Sequence, residues 1–346
     1  MAALKSLLHV SNVPNLDQVP KITTLSSSIY SNGIHSCCIK SSFSSSSKLL
    51  VLGHRGSGMN MNSSSSSDER MKSIKENSIL SFNKAADYAV DYVEFDVQVT
   101  KDNVPVIFHD DEIITGEENG GTYITVSERK VTEITLAEFL RYGPQRESVN
   151  LRKCYKPLLR KGKDGRICKW NVENDDSLCT LQEAFQNVNS SLGFNIELKF
   201  DDYFVYRDEE LVDRLREILR VVLGYAKERP VIFSTFQPDA ARLVRKLQNR
   251  YPVYFLTEGG TEIYTDVRRN SLDEAINCAW KMVCKGLCRM LEYMMGVEGV
   301  IVDFVGEISE AVSDLIKPVQ EEEERISFTQ CEFSFLRNFV SELTQH

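Results

Sequence analysis

Two carboxylates and an imidazole stand close together in one stretch of the chain, residues 92–111. Glu94 and Asp96 alternate with apolar residues in a run typical of a β-strand, so both carboxylates point to the same face. A turn signal at 101–103 separates this run from a second one, which ends at His109. If the second run folds back with His109 directly opposite Asp96, the two side chains lie about 5 Å apart. We therefore expect a cluster of two carboxylates and an imidazole, with an ordinary solvent-facing strand edge as the alternative.

A third carboxylate stands on a later strand-like run, residues 193–199. Glu197 and Lys199 are two positions apart on this run, so their side chains point the same way. Together with Glu94 and Asp96, Glu197 would make an oxygen-rich site suited to a hard divalent cation, Mg²⁺ or Ca²⁺. The alternative is that Glu197 and Lys199 form a plain surface ion pair.

The chain has five histidines, and only His54 and His109 lie in its body. Imidazoles titrate near neutral pH, so these two can serve as an acid–base pair, unless His54 is a core residue. Arg55 and Lys199 would bring positive charge to the same rim, which fits an anionic phosphate group. A divalent cation, two positive side chains and two imidazoles favour phosphoryl transfer over the hydrolysis of a neutral ester.

Alternating strand-like and helix-like runs must position these groups. Apolar runs typical of buried parallel strands begin near residues 49, 92, 193, 230, 252 and 299. Helical patterns lie at 181–188, 209–227, 239–250, 271–295 and 309–316. A further helix follows Glu76 and Asn77, with Ser78 as a suitable N-cap. This alternation predicts a parallel sheet with right-handed crossovers, and the polar residues at the strand ends mark the active face of a β/α barrel.

The remaining segments differ in composition from this alternating part. Residues 112–176 are polar and irregular, which predicts an inserted subdomain with one helix at 135–142. An acidic run at 321–324 indicates a solvated linker, and residues 328–343 have the pattern of a terminal docking helix.

The first 47 residues contain 13 serines, no arginine and one acidic residue, Asp17. A serine-rich, acid-poor start resembles an organellar transit peptide. The lack of arginine fits a plastid address better than a mitochondrial one. The alternative is a disordered tail.

The composition excludes several classes of protein. With 346 residues, 42% of them hydrophobic and 26% charged, the chain is typical of a globular protein. A net charge of −9 argues against binding to nucleic acid or to an anionic membrane surface. No apolar run reaches the length of about 18 residues that a membrane span needs. The nine cysteines are irregularly spaced, so we expect reduced thiols rather than a disulfide framework or a zinc site.

Four short motifs, in this order and spacing, resemble the signatures of the glycerophosphodiester phosphodiesterases. They are His54-Arg55-Gly56, Glu76-Asn77-Ser78, Val93-Glu94-Phe95-Asp96-Val97 with Phe108-His109-Asp110, and Ile196-Glu197-Leu198-Lys199. Residues 233–239 and 266–271 are similar to the plant plastidial members, and the resemblance extends from about residue 49 to 343. It implies a TIM barrel of the phospholipase-C-like phosphodiesterase type at 48–318, with an insertion after the second strand at about 101–178.

The resemblance also implies an activity, the hydrolysis of glycerophosphodiesters such as glycerophosphocholine and glycerophosphoethanolamine to sn-glycerol 3-phosphate and an alcohol. In the mechanism usual for the family, the glycerol 2-hydroxyl attacks phosphorus, the alcohol leaves as a cyclic phosphate forms, and water then opens the ring. The implied site has one divalent cation on Glu94, Asp96 and Glu197, with His54 as the acid and His109 as the base. Arg55 and Lys199 would contact the phosphate, and Glu76 and Asn77 would contact either the cation's ligands or the glycerol.

The number of predicted strands departs from the family's barrel, because six are found where a TIM barrel has eight. Between about 258 and 298 the sequence shows only loop and helix patterns. We therefore expect a deletion of roughly forty residues there, at the place of the two missing strands. All the proposed site residues lie upstream of this gap, so we expect the chemistry to lie wholly upstream of it.

Two alternatives to the enzyme follow from these observations. A barrel without two of its units cannot close without exposing strand edges, which favours a catalytically inactive truncated or spliced form that binds a phosphodiester or a partner. A phospholipase acting on intact lipid would need an apolar lip near the active face, whereas residues 57–68 are mostly polar. Our hypothesis is the enzyme, with a small-molecule glycerophosphodiester as its substrate and no nucleic acid or membrane span.

Overall fold

Thirteen short strands and six α-helices make up the part of the chain that the structure describes. This computed structural model describes residues 8–10, 50–61, 69–119, 122–144, 156–162, 165–258, 260–271, 274–275, 278 and 299–315. The strands are β1 (Leu8–Val10), β2 (Leu50–Gly53), β3 (Tyr92–Val99), β4 (Pro105–Ile107), β5 (Glu112–Asn119), β6 (Thr122–Lys130), β7 (Leu159–Lys161), β8 (Ile167–Lys169), β9 (Cys179–Thr180), β10 (Gly193–Leu198), β11 (Val231–Thr235), β12 (Val253–Phe255) and β13 (Gly299–Val302). The helices are α1 (Ile79–Ala85), α2 (Leu136–Phe139), α3 (Leu181–Asn187), α4 (Asp208–Tyr225), α5 (Pro238–Leu247) and α6 (Val305–Leu315).

Seven of these strands form a parallel sheet in the order β1-β13-β2-β3-β10-β11-β12. Six of them lie where the apolar runs predicted strands, and α3, α4 and α5 connect neighbours in the sheet as the alternating pattern predicted. The seventh strand, β1, belongs to the segment expected to be a transit peptide or disordered, and it pairs in parallel with β13. Because these strands run parallel, their carboxyl ends meet at one edge of the sheet.

Alternate side chains of β3 and β10 point to two different faces of the sheet. Phe95 and Phe194 point to the helix side, where their ring centroids are 4.9 Å apart. Phe82 of α1 packs 5.1 Å from Phe95, and all three rings are fully buried. Burial of each ring contributes about 2 to 3 kcal/mol to folding. This apolar layer holds the two strands in a register that places Glu197 beside Asp96 on the opposite face.

The hairpin of β3 and β4 is one residue out of the register predicted from the sequence. Val97 pairs with Ile107, so His109 does not lie directly opposite Asp96. The predicted pairing required an even number of loop residues, but the loop at 101–103 has three. Asn103 makes this loop possible, because it adopts the left-handed conformation (φ 63°) that three-residue hairpin loops use.

A second sheet forms from the chain between β4 and β9. Its four antiparallel strands stand in the order β6-β5-β7-β8. The sequence predicted irregular structure here, apart from one helix. The helix is present as α2, which Thr135 caps through its side chain, but the prediction of irregular structure was wrong. The strands were missed because polar residues hide their alternation. A separate apolar cluster, which includes Phe108, Phe139 and Trp170, attaches this sheet to β4.

Two predicted features fall largely outside the described residues. The expected loss of two strands between about 258 and 298 is one of them. The described residues in that interval contain a 3₁₀-helix, Val267–Arg269, three α-helical residues at 274, 275 and 278 within the predicted helix, and no strand. The acidic linker and terminal helix of residues 319–346 lie wholly outside the described part.

Helix α6 starts at Val305, earlier than the predicted start at Ser309. No described helix has the length and apolar character needed to cross a membrane.

Candidate active site

Strands β3 and β10 bring three carboxylates together. Glu94 and Asp96 stand on β3, and Glu197 on β10 is the direct neighbour of Asp96 across the parallel ladder. One carboxylate oxygen of each residue lies within 4.8 Å of the others. Glu94 and Asp96 are only 2% and 1% exposed, so the alternative of a solvent-facing strand edge is wrong.

The electrostatics of this cluster fit a divalent cation. Burial and the neighbouring carboxylates of Asp96 and Glu197 raise the pKa of Glu94 well above its ordinary value. Burial also tends to raise the pKa of Asp96, but attraction to His109 and Lys199 outweighs it and lowers that pKa below the usual range. Three carboxylates held this closely in a buried site repel one another, and a bound cation would relieve that repulsion. The oxygen donors are the kind that Mg²⁺ and Ca²⁺ prefer.

His54 is held at the edge of the cluster by a carboxylate that the sequence analysis did not assign. Its Nδ1 atom lies 2.7 Å from Oδ1 of Asp303, and its Nε2 atom lies 4.0 Å from Oε2 of Glu94. Asp303 directly follows β13 and also accepts a hydrogen bond from the backbone N–H of Met59 at 2.9 Å. The expectation that the site lies wholly upstream of the predicted gap is therefore wrong. A signal was available, because a carboxylate directly after an apolar strand stands at the active edge of such a sheet.

His109 is held in the same way by the residue that follows it. Its Nδ1 atom lies 2.8 Å from Oδ1 of Asp110. The structure thus places His109 in contact with Asp110 and not, as predicted, directly opposite Asp96. Both imidazoles are therefore anchored through Nδ1 by an aspartate. Asp110 directly follows His109, whereas Asp303 is 249 positions away from His54.

Arg55 and Asn77 orient two of the carboxylates. The backbone N–H of Arg55 donates to Oε2 of Glu94 at 2.9 Å, and its guanidinium donates to Oε1 of Glu76 at 2.8 Å. Asn77 donates through Nδ2 to Oδ2 of Asp96 at 2.9 Å. Arg55 and Asn77 both have positive φ values, 48° and 54°, a conformation that concentrates at functional sites.

Close packing explains why the first motif has a glycine at position 56. Gly56 has φ +97°, and a Cβ atom there would lie 2.4 Å from Oγ of Ser81 and 2.9 Å from a backbone carbon of the same residue. Only glycine fits this position, because it allows the loop after β2 to approach α1 closely.

Lys199 provides positive charge beside the carboxylates. Its Nζ atom lies 3.2 Å from Oε1 of Glu197 and 3.8 Å from Oδ1 of Asp96. Burial alone would lower the pKa of Lys199, but these two carboxylates raise it above the usual range, so the side chain stays charged. The side chains of Lys199 and Glu197 are only 20% and 13% exposed, so the alternative of a plain surface pair is wrong. Lys199 also lines a groove of about 200 Å³, together with Gln98, Asp111, Phe200 and Tyr206.

Glu76 is fully engaged in ion pairs. Besides Arg55, its Oε1 atom accepts a hydrogen bond from Nη2 of Arg160 at 2.8 Å. Arg160 lies on β7 of the second sheet, in the region predicted to be irregular, and no pattern in the sequence signalled it. The structure thus brings together all nine predicted residues and adds Asp303, Asp110 and Arg160 to them.

Comparison with known proteins gives the family. A sequence model of the glycerophosphoryl diester phosphodiesterase family matches residues 54–286. The glycerophosphodiester phosphodiesterase GDPD2 of Arabidopsis thaliana is 49% identical over 345 aligned positions, which cover 86% of this chain and 90% of that protein. The chloroplastic GDPD1 of the same plant is 46% identical, over 98% of this chain and 99% of its own length.

A solved structure supports the same assignment at the level of the fold. A crystal structure from Silicibacter pomeroyi that bears the same family name superposes with a TM-score of 0.52. It is 19% identical and covers 78% of this chain and 94% of its own. The matched motifs, the relatives and the fold agree, and they confirm the resemblance seen in the sequence. This chain belongs to the glycerophosphoryl diester phosphodiesterase family, a class of phosphoric diester hydrolases.

Proposed function

We propose that this protein hydrolyses glycerophosphodiesters, such as glycerophosphocholine and glycerophosphoethanolamine, to sn-glycerol 3-phosphate and an alcohol. One observation carries the proposal: His54 and His109 flank the buried carboxylate cluster, and each is anchored through Nδ1 by an aspartate. An imidazole held through Nδ1 can transfer protons through Nε2.

The carboxylates of Glu94, Asp96 and Glu197 would hold one divalent cation, Mg²⁺ or Ca²⁺, beside the phosphate. When bound, this cation would supply the positive charge that neutralises the phosphate oxygens during the reaction. Lys199 and Arg55 would contact the same phosphate group.

Glu76 and Asn77 act in this proposal by orienting other groups. Glu76 holds the guanidinium of Arg55, and Asn77 holds the carboxylate of Asp96. Their hydrogen bonds therefore support a role in fixing the site rather than direct contact with the glycerol.

The proposed reaction has two steps with the same two imidazoles. In the first step His109 accepts the proton of the glycerol 2-hydroxyl as its oxygen attacks phosphorus, and His54 donates a proton to the departing alcohol oxygen. A cyclic phosphate forms as the phosphorus–oxygen bond to the alcohol breaks. In the second step water attacks phosphorus while His54 accepts its proton, the bond between phosphorus and the 2-oxygen breaks, and His109 returns its proton to the 2-oxygen. Both imidazoles end in their starting states.

We further propose that the protein acts in the plastid. The serine-rich, arginine-free start of the chain supports this location. So does its similarity to the chloroplastic GDPD1, which spans nearly the whole chain.

An inactive form is the second candidate, because the chain lacks positions that its relative GDPD1 has. The alignment with GDPD1 has 379 positions, but 98% of 346 residues is 339, so about 40 positions of that relative have no counterpart here. The deletion predicted between about 258 and 298 has about the same length and stays a prediction. Against inactivity, β13 still pairs with β2 and its Asp303 still reaches His54.

Glycerol 3-phosphate release from glycerophosphocholine by the purified full chain decides between these candidates. We expect turnover that needs Mg²⁺ or Ca²⁺, that EDTA abolishes and that His109→Ala lacks. A folded, monodisperse protein with no turnover under any of these conditions would overturn the proposal and favour the inactive form.

A further inference from the structure

The guanidinium of Arg160 joins the second sheet to the candidate active site. Its Nη2 atom donates to Oε1 of Glu76 and to Oδ1 of Asp110, both at 2.8 Å. Its Nη1 atom donates to the backbone oxygen of Asn60 at 2.9 Å and to Oε2 of Glu76 at 3.2 Å. One side chain from the second sheet thus holds two carboxylates from loops elsewhere, Glu76 just before α1 and Asp110 just after β4.

The surroundings of Arg160 keep this guanidinium in one orientation. Its Cζ atom lies 4.1 Å from the centroid of the Trp170 ring, and the side chain is only 12% exposed. The indole Nε1 of Trp170 donates to Oδ1 of Asn60, and the backbone N–H of Glu76 donates to the same oxygen. Stacking on one face and hydrogen bonds along two edges leave little freedom for the guanidinium to turn.

Each carboxylate that Arg160 holds is in turn bound to a proposed functional group. Asp110 anchors Nδ1 of His109, and Glu76 holds the guanidinium of Arg55. In the described part of the chain, the hydrogen-bond partners of Arg160 are Asn60, Glu76 and Asp110 rather than the three clustered carboxylates, so it lies one residue away from the proposed base and from a proposed phosphate contact.

We propose that Arg160 is a positioning residue, which fixes the imidazole of His109 through Asp110 and the guanidinium of Arg55 through Glu76. The four-stranded second sheet is then a required part of the active site, because it supplies this residue. The inference rests on the proposed function for its effect on catalysis.

A lysine could not replace Arg160 in this role. The two carboxylates and the backbone oxygen approach a planar fork from different directions, and an ammonium group offers no such fork. Lys161, the next residue on β7, is exposed and points to the other face, which makes it a matched control.

Steady-state kinetics of the full-length variants test the catalytic part. We expect Arg160→Met and Arg160→Lys to lower kcat by about 100-fold, because a displacement of about 1 Å in a catalytic group has this effect. Asp110→Asn added to Arg160→Met should lower kcat little further, since both changes release the same imidazole. Guanidinium ion added to an Arg160→Gly variant should restore part of the activity, and Lys161→Met should match the unmutated protein. Unchanged kcat in a folded Arg160→Met variant would overturn the inference.

Nitrogen-15 spectra of the histidine side chains test the positioning itself without any need for turnover. The Nδ1 signal of His109, assigned with His109→Gln, should show a hydrogen-bonded Nδ1 in the unmutated protein and lose that character in Arg160→Met. An unchanged signal contradicts the role of Arg160, whatever the activity. A changed signal in a protein without turnover would support the positioning role and overturn only the proposed function.

Discussion

Oδ1 of Asp303 lies 2.7 Å from Nδ1 of His54, although 249 positions of the sequence separate the two residues. The contact joins the end of β13 to the end of β2, which are neighbours in the parallel sheet. A carboxylate on Nδ1 favours the tautomer that leaves the other ring nitrogen for proton transfer and stabilises the charged imidazole.

We expect Asp303→Asn to lower kcat by about 10- to 100-fold with little change in the melting temperature, because the amide cannot stabilise a charged imidazole. Steady-state kinetics with glycerophosphocholine would measure the loss. Glu307→Gln is the matched control, since Glu307 lies on α6 nearby and forms an exposed ion pair with Arg70. Equal kcat values for the Asp303→Asn variant and the unmutated protein would show that this contact is not used in the reaction.

Glu94→Gln should have opposite effects on stability with and without a divalent cation. In EDTA we expect a higher melting temperature than for the unmutated protein, because burial and two neighbouring carboxylates raise the pKa of Glu94 and make its charge unfavourable. With Mg²⁺ or Ca²⁺ at about 100 times its Kd, the unmutated protein should gain about 2.7 kcal/mol and the variant much less. Thermal melts in the two buffers would check both signs. Lower stability of the variant in EDTA would contradict the repulsion that we infer.

The ion pairs of Glu76 should stabilise the folded protein at neutral pH, and this stabilisation should be lost in acid. Burial alone would raise the pKa of this carboxyl, but Arg160 and Arg55 lower it from 4.5 to about 2. A lowered folded-state pKa stabilises the protein above pH 4.5, and this contribution, about 3 kcal/mol, is lost as the pH falls towards 2. Urea unfolding of the unmutated protein and of Glu76→Gln should therefore give stabilities that converge between pH 4.5 and 2. Parallel curves over this range would count against the ion pairs.

At neutral pH the charge of Lys75 should lower the stability of the folded protein, whereas that of Glu76 raises it. The effect of Lys75 should change at alkaline pH. Its Nζ atom lies 3.5 Å from the centroid of the Trp170 ring, and burial lowers its pKa from 10.5 to about 8. The unfolded chain then binds the proton more tightly than the folded one between pH 8 and 10.5, so stability rises with pH across this range. Relative to Lys75→Met, the unmutated protein should gain about 2 kcal/mol from pH 8 to 10 in chemical unfolding. A constant difference between the two proteins would show that Lys75 keeps an ordinary pKa.

The sequence was most informative where function and local pattern coincide. The alternation of Glu94 and Asp96 with apolar residues was enough to predict a shared face, and the parallel sheet then brought Glu197 to them. The register of the first hairpin was missed, because it depends on the backbone conformation of Asn103 in the loop. The turn signal marked this loop, but it did not show which of its residues would adopt a positive φ angle.

The partners of His54 and of Glu76 were harder to predict, for a different physical reason. Asp303 and Arg160 reach the site through contacts over 249 and 84 positions of the sequence. Neither residue stands in a motif with the group that it holds. The second sheet that carries Arg160 has strands whose polar residues hide their alternation, so its position over the site could not be inferred from periodicity.

The pairing of β2 with β13 also sets when the site can form as the protein folds. About 250 residues separate these two strands in the sequence, so a long loop of chain must close before they can pair. Until then His54 lacks its aspartate, and one edge of β2 has no partner strand. A chain in which β13 has not yet joined β2 is therefore catalytically incomplete, and its unpaired strand edge is open to pairing with strands of other chains until β13 covers it.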